Sequence, residues 1–264
     1  MNFLYSKTFR QNAGTLIFSH IFEGRRNFKR IYTLPFNTLV AVLDDGGSGD
    51  STMENRITHE IRSRRKYDLY FTPVELPVLY TALESLHFIA LHFNLFRYPG
   101  MDVYHGCKDW IFENNPEAVR KMDSAFHAGD PLQSLTALRA CCLDFCARHW
   151  PENQVIDPKG FADMQPVIDW IHTHVSADIN IDDLAGRVSM SPVVFARKFK
   201  VLFGKSPKEY LQTELAARAA ALLSDPANRV KDVASALGFS SEFYFSKFFK
   251  RMIGCTPSEY KEQA

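Results

Sequence analysis

The chain has almost no surplus of charge: 31 Lys and Arg stand against 30 Asp and Glu, leaving +1 at neutral pH. That balance excludes a protein that coats DNA through bulk charge, so any nucleic-acid footprint has to be local. No apolar run nears the length of a membrane span, and the opening MNFLYSKTFRQNAG lacks the basic start, apolar stretch and small-residue cleavage site of a secretory signal. These absences predict a cytoplasmic protein with no membrane partner. Cysteine is scarce and odd in number, five in 264 residues, which fits a reduced compartment better than a disulfide framework. Cys142 and Cys146 stand one helical turn apart beside Cys141, but no second CxxC or histidine pair accompanies them. They read as buried small hydrophobes rather than as a thiol sensor or half a metal site. The histidines lack the tight spacing of metal ligands, so no metal or other cofactor is expected.

What the chain does have is 46% hydrophobic residues over 264 positions, enough for two domains with their own cores. Near its end the segment GFSSEFYFSKFFKRMIGCTPSEY mixes aromatics with lysines and has no evident catalytic group. Laid on a helix, Phe245, Phe248, Phe249 and Met252 fall on one stripe, and Phe243, Ser246, Lys247 and Lys250 on another. Alone, the second stripe reads first as a solvated face and only second as a surface for an anionic partner. The choice shifts because the pattern occurs twice. SPVVFARKFKVLFGKSPKEY repeats it, matching Ser191 with Ser241, Phe195 with Phe245, Phe199 with Phe249, Lys200 with Lys250, Gly204 with Gly254, Pro207 with Pro257 and Tyr210 with Tyr260. Internal repetition of one supersecondary unit is an architectural signal.

Each copy follows a second short helical pattern, NIDDLAGRVSMS and RVKDVASALGFSS, then a turn and a Ser at the N-cap of the next helix. Helix, tight turn and capped helix is the layout of a helix-turn-helix, whose second helix enters the major groove. Gly204 and Gly254 fall where those helices should stop, and Pro207 and Pro257 where new ones start. Between the copies, Pro207 to about Ser224 reads as one helix of roughly 27 Å. A rod of that order holds two reading helices about one duplex turn apart.

Residues from about Met164 to Tyr260 resemble the DNA-binding domain of the AraC family of bacterial transcription regulators, with GFSSEFYFSKFFKRMIGCTPSEY carrying nearly the whole family signature. One departure is Leu215-Ala216 in the linker helix, where the family usually carries Arg-Leu. The resemblance implies an α+β chain of two domains. A cupin-like β-barrel sensor with C-terminal helices would occupy residues 1–155, and an all-α domain of two helix-turn-helix units residues 156–264. The runs TLIFSHIF, NTLVAVL, RITHEIR, YDLYF, LPVLYTAL, LHFIALHFNL and MDVYH agree with the first part, because short strands at close spacing indicate a sandwich or barrel. Two helical patterns follow. The second has Leu135, Leu138, Cys142, Phe145 and Cys146 along one face, from Asp130 as N-cap to Trp150, suited to packing on the barrel or to pairing with a second subunit. PENQVIDPKG is the expected linker, and Pro166 the expected start of the next helix.

The candidate site residues follow from this frame. Arg197 and Lys247 occupy equivalent outward positions from which a long cation reaches a guanine edge. Val193, Ala196, Phe243 and Ser246 flank them, and Glu242 either accepts from a cytosine amine or stabilises its helix N-terminus. Lys200 and Lys250 are placed as phosphate anchors. His59, Tyr80, Phe88 and His92 are expected to line a pocket in the barrel. The resemblance implies a double-stranded DNA operator, a small-molecule effector for which sugars are a common class in the family, RNA polymerase as partner of an activator, and a homodimer. The competing reading is an enzyme carrying a similar DNA-binding tail: a cupin-type oxygenase, or a DNA-repair alkyl acceptor with Cys107 as nucleophile.

Overall fold

The computed structural model of the chain describes residues 15–261 apart from residues 26, 48, 84, 99–100, 152–157 and 226. The opening segment and most of the expected linker lie outside the described residues. The first half forms two antiparallel sheets. In one, β1 (Thr15–Gly24), β8 (His87–Tyr98), β3 (Asn37–Asp44), β6 (Asp68–Thr72) and β10 (Ile111–Asn114) lie side by side, with β9 (Met101–Asp102) added to β8. In the other, β2 (Phe28–Thr33), β7 (Pro77–Ala82), β4 (Thr52–Asn55) and β5 (Ile61–Ser63) are paired in that order.

The central strand explains the arrangement. Along β3 the residues from Asn37 to Val42 are all buried, so both faces of the strand are covered. Side chains alternate between faces. Val40 and Val42 share one core with Tyr70, Phe88 and Ala90. Leu39 and Ala41 share another with Phe71, Leu91, Met122 and Phe145. The register brings Thr38 opposite His92 and Thr72, and Val40 opposite Ala90 and Tyr70. The first core lies between the two sheets. The second lies under α1 (Pro116–Phe126) and α2 (Pro131–Arg148), capped by the side chains of Asn115 and Asp130.

The second half is helical. α3 (Pro158–His174) leads into α4 (Ile181–Arg187) and α5 (Pro192–Phe203), then α6 (Pro207–Leu223), then α7 (Val230–Ala236), α8 (Glu242–Ile253) and α9 (Pro257–Lys261). Pro166 does not start a helix; it sits inside α3. The α6 rod serves two cores. Tyr210 and Leu211 near its start pack with Phe195, Phe199 and Phe203, whereas Leu215 to Leu223 pack with Phe245, Phe249 and Ile253. Ser206 and Glu209 form a reciprocal capping box at its start, and Thr256 and Glu259 exchange the same two bonds ahead of α9. Glu209 and Glu259, each two residues after its helix-opening proline, are therefore equivalent cap residues.

Three sequence expectations change. RITHEIR is mainly the turn between β4 and β5, because Asn55 bonds the N–H groups of Ile57 and Thr58 through its side chain and closes the chain locally. β2 and β10 were not anticipated, since Lys29 and Arg30 stand side by side in β2 and β10 is only the four residues IFEN. The inward pair at the end of each reading helix includes Phe203 and Ile253, both buried, while Leu202 and Met252 are only half-buried. Phe199 and Phe245 are fully buried, so Phe199→Ala or Phe245→Ala is expected to cost about 3 to 5 kcal/mol, the range for emptying an aromatic site. Denaturant unfolding measures it, and a loss below about 1 kcal/mol would mean the site collapses without a cavity.

Candidate functional site

Both reading helices begin alike. The Ser191 hydroxyl accepts the Val194 N–H at 3.4 Å and the Ser241 hydroxyl accepts the Tyr244 N–H at 3.3 Å. Both end at a left-handed glycine, Gly204 at φ 72° and Gly254 at φ 98°, a conformation glycine adopts without steric cost. In the turn before each helix, Gly238 and Ser189 also have positive φ. Serine pays in strain where the second copy has glycine, about 1 kcal/mol or more. The outward faces are open. Val193 is 79% exposed and Phe243 66%, and Arg197, Lys200, Glu242, Lys247 and Lys250 are exposed, with Ala196 and Ser246 half-buried between them. Lys247 Nζ lies 5.5 Å from the Phe243 ring centre, a distance at which the cation is attracted to the ring. Tyr244 is also exposed; its place beside Phe243 was the available sign that a second ring joins the surface.

The opposite ends of the same helices rest on the β-rich half. A Cβ on Gly254 would stand 2.3 Å from the Ile31 carbonyl oxygen, and one on Gly204 2.9 Å from His105 Nε2. Each glycine thus serves helix termination and close approach together. Phe36 is 1% exposed inside the core of the second helix-turn-helix, where Tyr32 and Leu34 also pack. Two ion pairs flank this seam: Arg30 with Glu259 at 2.9 Å and Lys205 with Glu75 at 2.6 Å. Thr213 donates to the same Glu75 oxygen at 2.9 Å. Burial raises the Glu75 carboxyl, but Lys205, with the hydrogen bonds from Lys205 and Thr213, outweighs it and holds the group below its ordinary value.

Between the two sheets lies a cavity of about 200 Å³. Thr38, Val40, Tyr70, Phe88, Ala90 and His92 line it from one sheet, Phe28, Tyr32 and Tyr80 from the other, and Tyr260 of α9 closes part of its wall. Burial lowers His20 from 6.5 to about 4 and takes His92, beside His20, well below its ordinary value, so both rings are neutral at pH 7. Tyr80, Phe88 and His92 are on this wall. His59 is not; it sits exposed in the β4–β5 turn at φ 60°, 3.7 Å from Glu54. Arg64, Thr38 and Tyr260 were missed. The RSRRKYD run around Arg64 looks like any solvated charge cluster, and nothing local tells that one of its cations turns inward.

Burial bears on two further expectations. Leu138, Cys142, Phe145 and Cys146 of α2 are enclosed by α1 and the sheet, which leaves Leu132, Leu135 and Leu143 as its large exposed apolar side chains. Cys107 is half-buried, and burial with the Asp102 and Asp109 charges raises its thiol, the reverse of an activated nucleophile. Among the described residues no helix is long and apolar enough to cross a membrane.

A tandem helix-turn-helix on a two-sheet barrel defines the class, and comparison with known proteins gives the family. A helix-turn-helix domain model matches residues 184–263. The regulatory protein SoxS of Salmonella typhimurium is 30% identical over 100 residues, a match spanning 94% of SoxS and 38% of this chain. YdeC of Bacillus subtilis, an uncharacterized HTH-type transcriptional regulator, is 30% identical over 99 residues, 38% of this chain and 34% of YdeC. The chain thus matches only about a third to a half of the length of several such relatives. It belongs to the AraC family of transcription regulators. Among solved structures, apo ToxT from Vibrio cholerae aligns over 96% of this chain and 99% of its own, with a TM-score of 0.66 at 13% identity. ToxT with an unsaturated fatty acid bound aligns with a TM-score of 0.63 at 10% identity, over 97% of this chain and 98% of its own. These likenesses show that the whole two-domain fold, barrel and reader together, is shared.

The neutral histidines carry a pH dependence. In the unfolded chain they take up protons near 6.5, whereas in the fold they do so only at lower pH, so the unfolded state binds more protons below about 6.5 and stability falls on acidification. Asp102, its carboxyl raised by burial, titrates in the other direction, so the histidine part is read as a difference. The drop in melting temperature from pH 7 to pH 5 is expected to be smaller in the His20→Gln/His92→Gln variant than in the parent. An equal drop would mean the rings are not held neutral.

Proposed function

We propose that the chain is a sequence-specific DNA-binding transcription regulator whose α5 and α8 read successive major grooves and whose barrel senses a small molecule. The carrying observation is the polarity of the two reading helices. Their C-terminal ends are docked on the barrel, while their N-terminal turns, the part that reads base edges in a helix-turn-helix, stay exposed with Val193, Arg197, Phe243 and Lys247 outward. The division falls near residues 155 and 156, and a DNA target places the protein in the cytoplasm. Ligand control works by linkage: a molecule that binds one arrangement of barrel and reader better than another shifts the balance by its differential affinity. The solved ToxT with a bound fatty acid supports a ligand-responsive reading of the shared fold. The enzyme reading is weaker, because its candidate nucleophile Cys107 has a raised thiol.

Roles divide along each helix. Arg197 and Lys247 read base edges, and Lys200 and Lys250 in the last turns anchor phosphates. Lys250→Ala is expected to weaken binding to all sequences about equally and to reduce the salt slope by about one. Arg197→Ala should instead relax preference at one base pair by about 1 to 3 kcal/mol. Selection from a random DNA pool decides: the parent motif returned by both Arg197→Ala and Lys247→Ala, each folded, rejects the assignment. Self-association falls to the outward leucines of α2. Leu135→Glu is expected to shift sedimentation from dimer to monomer, and unchanged sedimentation of the folded variant removes the homodimer through this face.

A further inference from the structure

Neither DNA reading nor barrel packing accounts for one side chain in the cavity wall. Arg64 follows β5 and is 1% exposed. Its Nη2 donates to the Thr81 carbonyl oxygen at 2.6 Å and its Nη1 to the Tyr70 hydroxyl at 3.4 Å. Its Nε has no partner among the described residues. None of the ion pairs among those residues involves it. Glu23, the acidic residue on the cavity wall, is taken up by His87 and His127. A guanidinium is charged at every physiological pH, and a buried charge without a counterion is strongly unfavourable. The fold keeps this one in a wall that also carries three other orphaned polar atoms, Thr38 Oγ1, His92 Nδ1 and the Tyr260 hydroxyl.

We propose that the cavity takes a small monocarboxylate with an aromatic or short acyl body, and that Arg64 pairs with its carboxylate. Arg and carboxylate fit through parallel charge-assisted hydrogen bonds, which supplies the missing anion and a partner for Nε. Phe22, Phe28, Val40 and Phe88 leave an apolar space for the rest of the molecule. The size follows from the void: an engineered cavity of about 150 Å³ admits benzene, so about 200 Å³ suits a phenylalkanoate or a medium-chain acid. The acid sits inside the barrel rather than across the seam, because the seam cations Arg30 and Lys205 already have the counterions Glu259 and Glu75, even though Arg30 Nη1 also lacks a hydrogen-bond partner among the described residues. Tyr260 of α9 shares the wall, so the ligand touches the second helix-turn-helix directly. This inference rests on the barrel being the sensing half of a DNA-binding regulator.

Calorimetry of the full chain with 3-phenylpropionate and octanoate, each against its neutral counterpart 3-phenylpropanamide or 1-octanol, tests it. One acid is expected to bind at least about tenfold more tightly than its counterpart, the scale of one charge-assisted hydrogen bond. Arg64→Met should erase that preference and, without ligand, melt no lower than the parent, since a lone buried charge has gone. Arg64→Lys keeps the charge but loses the planar fork, so acid affinity should fall at least about tenfold with the neutral compound unaffected. Arg25→Gln, at the cavity rim, should keep the preference. The proposal is overturned if neither acid outbinds its counterpart, if the preference survives Arg64→Met, if Arg64→Met melts below the parent or does not fold, if acid affinity is unchanged in Arg64→Lys, or if Arg25→Gln alone abolishes the preference. DNA selection with the parent, without and with the acids, reports on the regulator reading separately. An enriched motif with no acid preference rejects the anion site and leaves that reading in place; no motif either without or with the acids rejects the reading itself.

Discussion

Much of this molecule depends on the apolar seam where Tyr32, Leu34 and Phe36 enter the core of the second helix-turn-helix. Phe36 is the pivot. On one side it is buried with Leu215, Phe249 and Tyr260, and on the other it stacks on His92 with ring centres 4.4 Å apart. The same ring therefore backs His92 of the cavity wall and belongs to the core of the second helix-turn-helix. Close packing of this kind transmits small displacements, because interiors are dense and do not deform smoothly. A ligand that reshapes the His92 wall acts on a ring that already supports α8.

The charges beside the seam play a different part. Arg30 with Glu259 is partly exposed, and such a pair contributes little stability, about 0 to 1 kcal/mol, while Lys205 with Glu75 is the more enclosed of the two. What they fix is register, since each joins a residue of the β half to a capping or turn residue of the helical half. Glu259 bonds the Thr256 N–H with one oxygen and Arg30 with the other, so the start of α9 is held by the barrel. Glu75 takes the left-handed conformation at φ 63°, uncommon for a residue with a side chain. That turn directs its carboxylate to Lys205 and Thr213.

The helical half was largely legible in the sequence. Ser191, Ser241, Gly204, Gly254, Pro207 and Pro257 act through their own or adjacent backbone groups, and those effects are local. The stripes Phe195, Phe199 and Phe245, Phe249 follow from helical periodicity. The β half was legible in kind, though less so in detail. The hydrophobic strands stood out, but β2 opens with the adjacent cations Lys29 and Arg30 and β10 is only four residues long, and RITHEIR folds as a turn through Asn55 because a side chain outcompetes the strand pattern. Helix α2 showed its apolar face plainly, yet whether the sheet or a second subunit covers that face is a question about space that no spacing of residues answers.

The sequence by itself determined the family, the two reading helices and the residues that point outward from them, because a repeated motif with caps at both ends specifies local geometry. Tertiary structure decided the cavity and the seam. Tyr80, Phe88 and His92 line the cavity because strand register brings them there, while His59, equally plausible as a letter in the chain, is carried outward by a turn. Arg64 and Tyr260 join the same wall from distant parts of the chain. The inward turn of Arg64 and the meeting of Gly254 with Ile31 depend on contacts between residues far apart in sequence. Such contacts are set by how the sheets close and the two halves dock, and no local pattern encodes them.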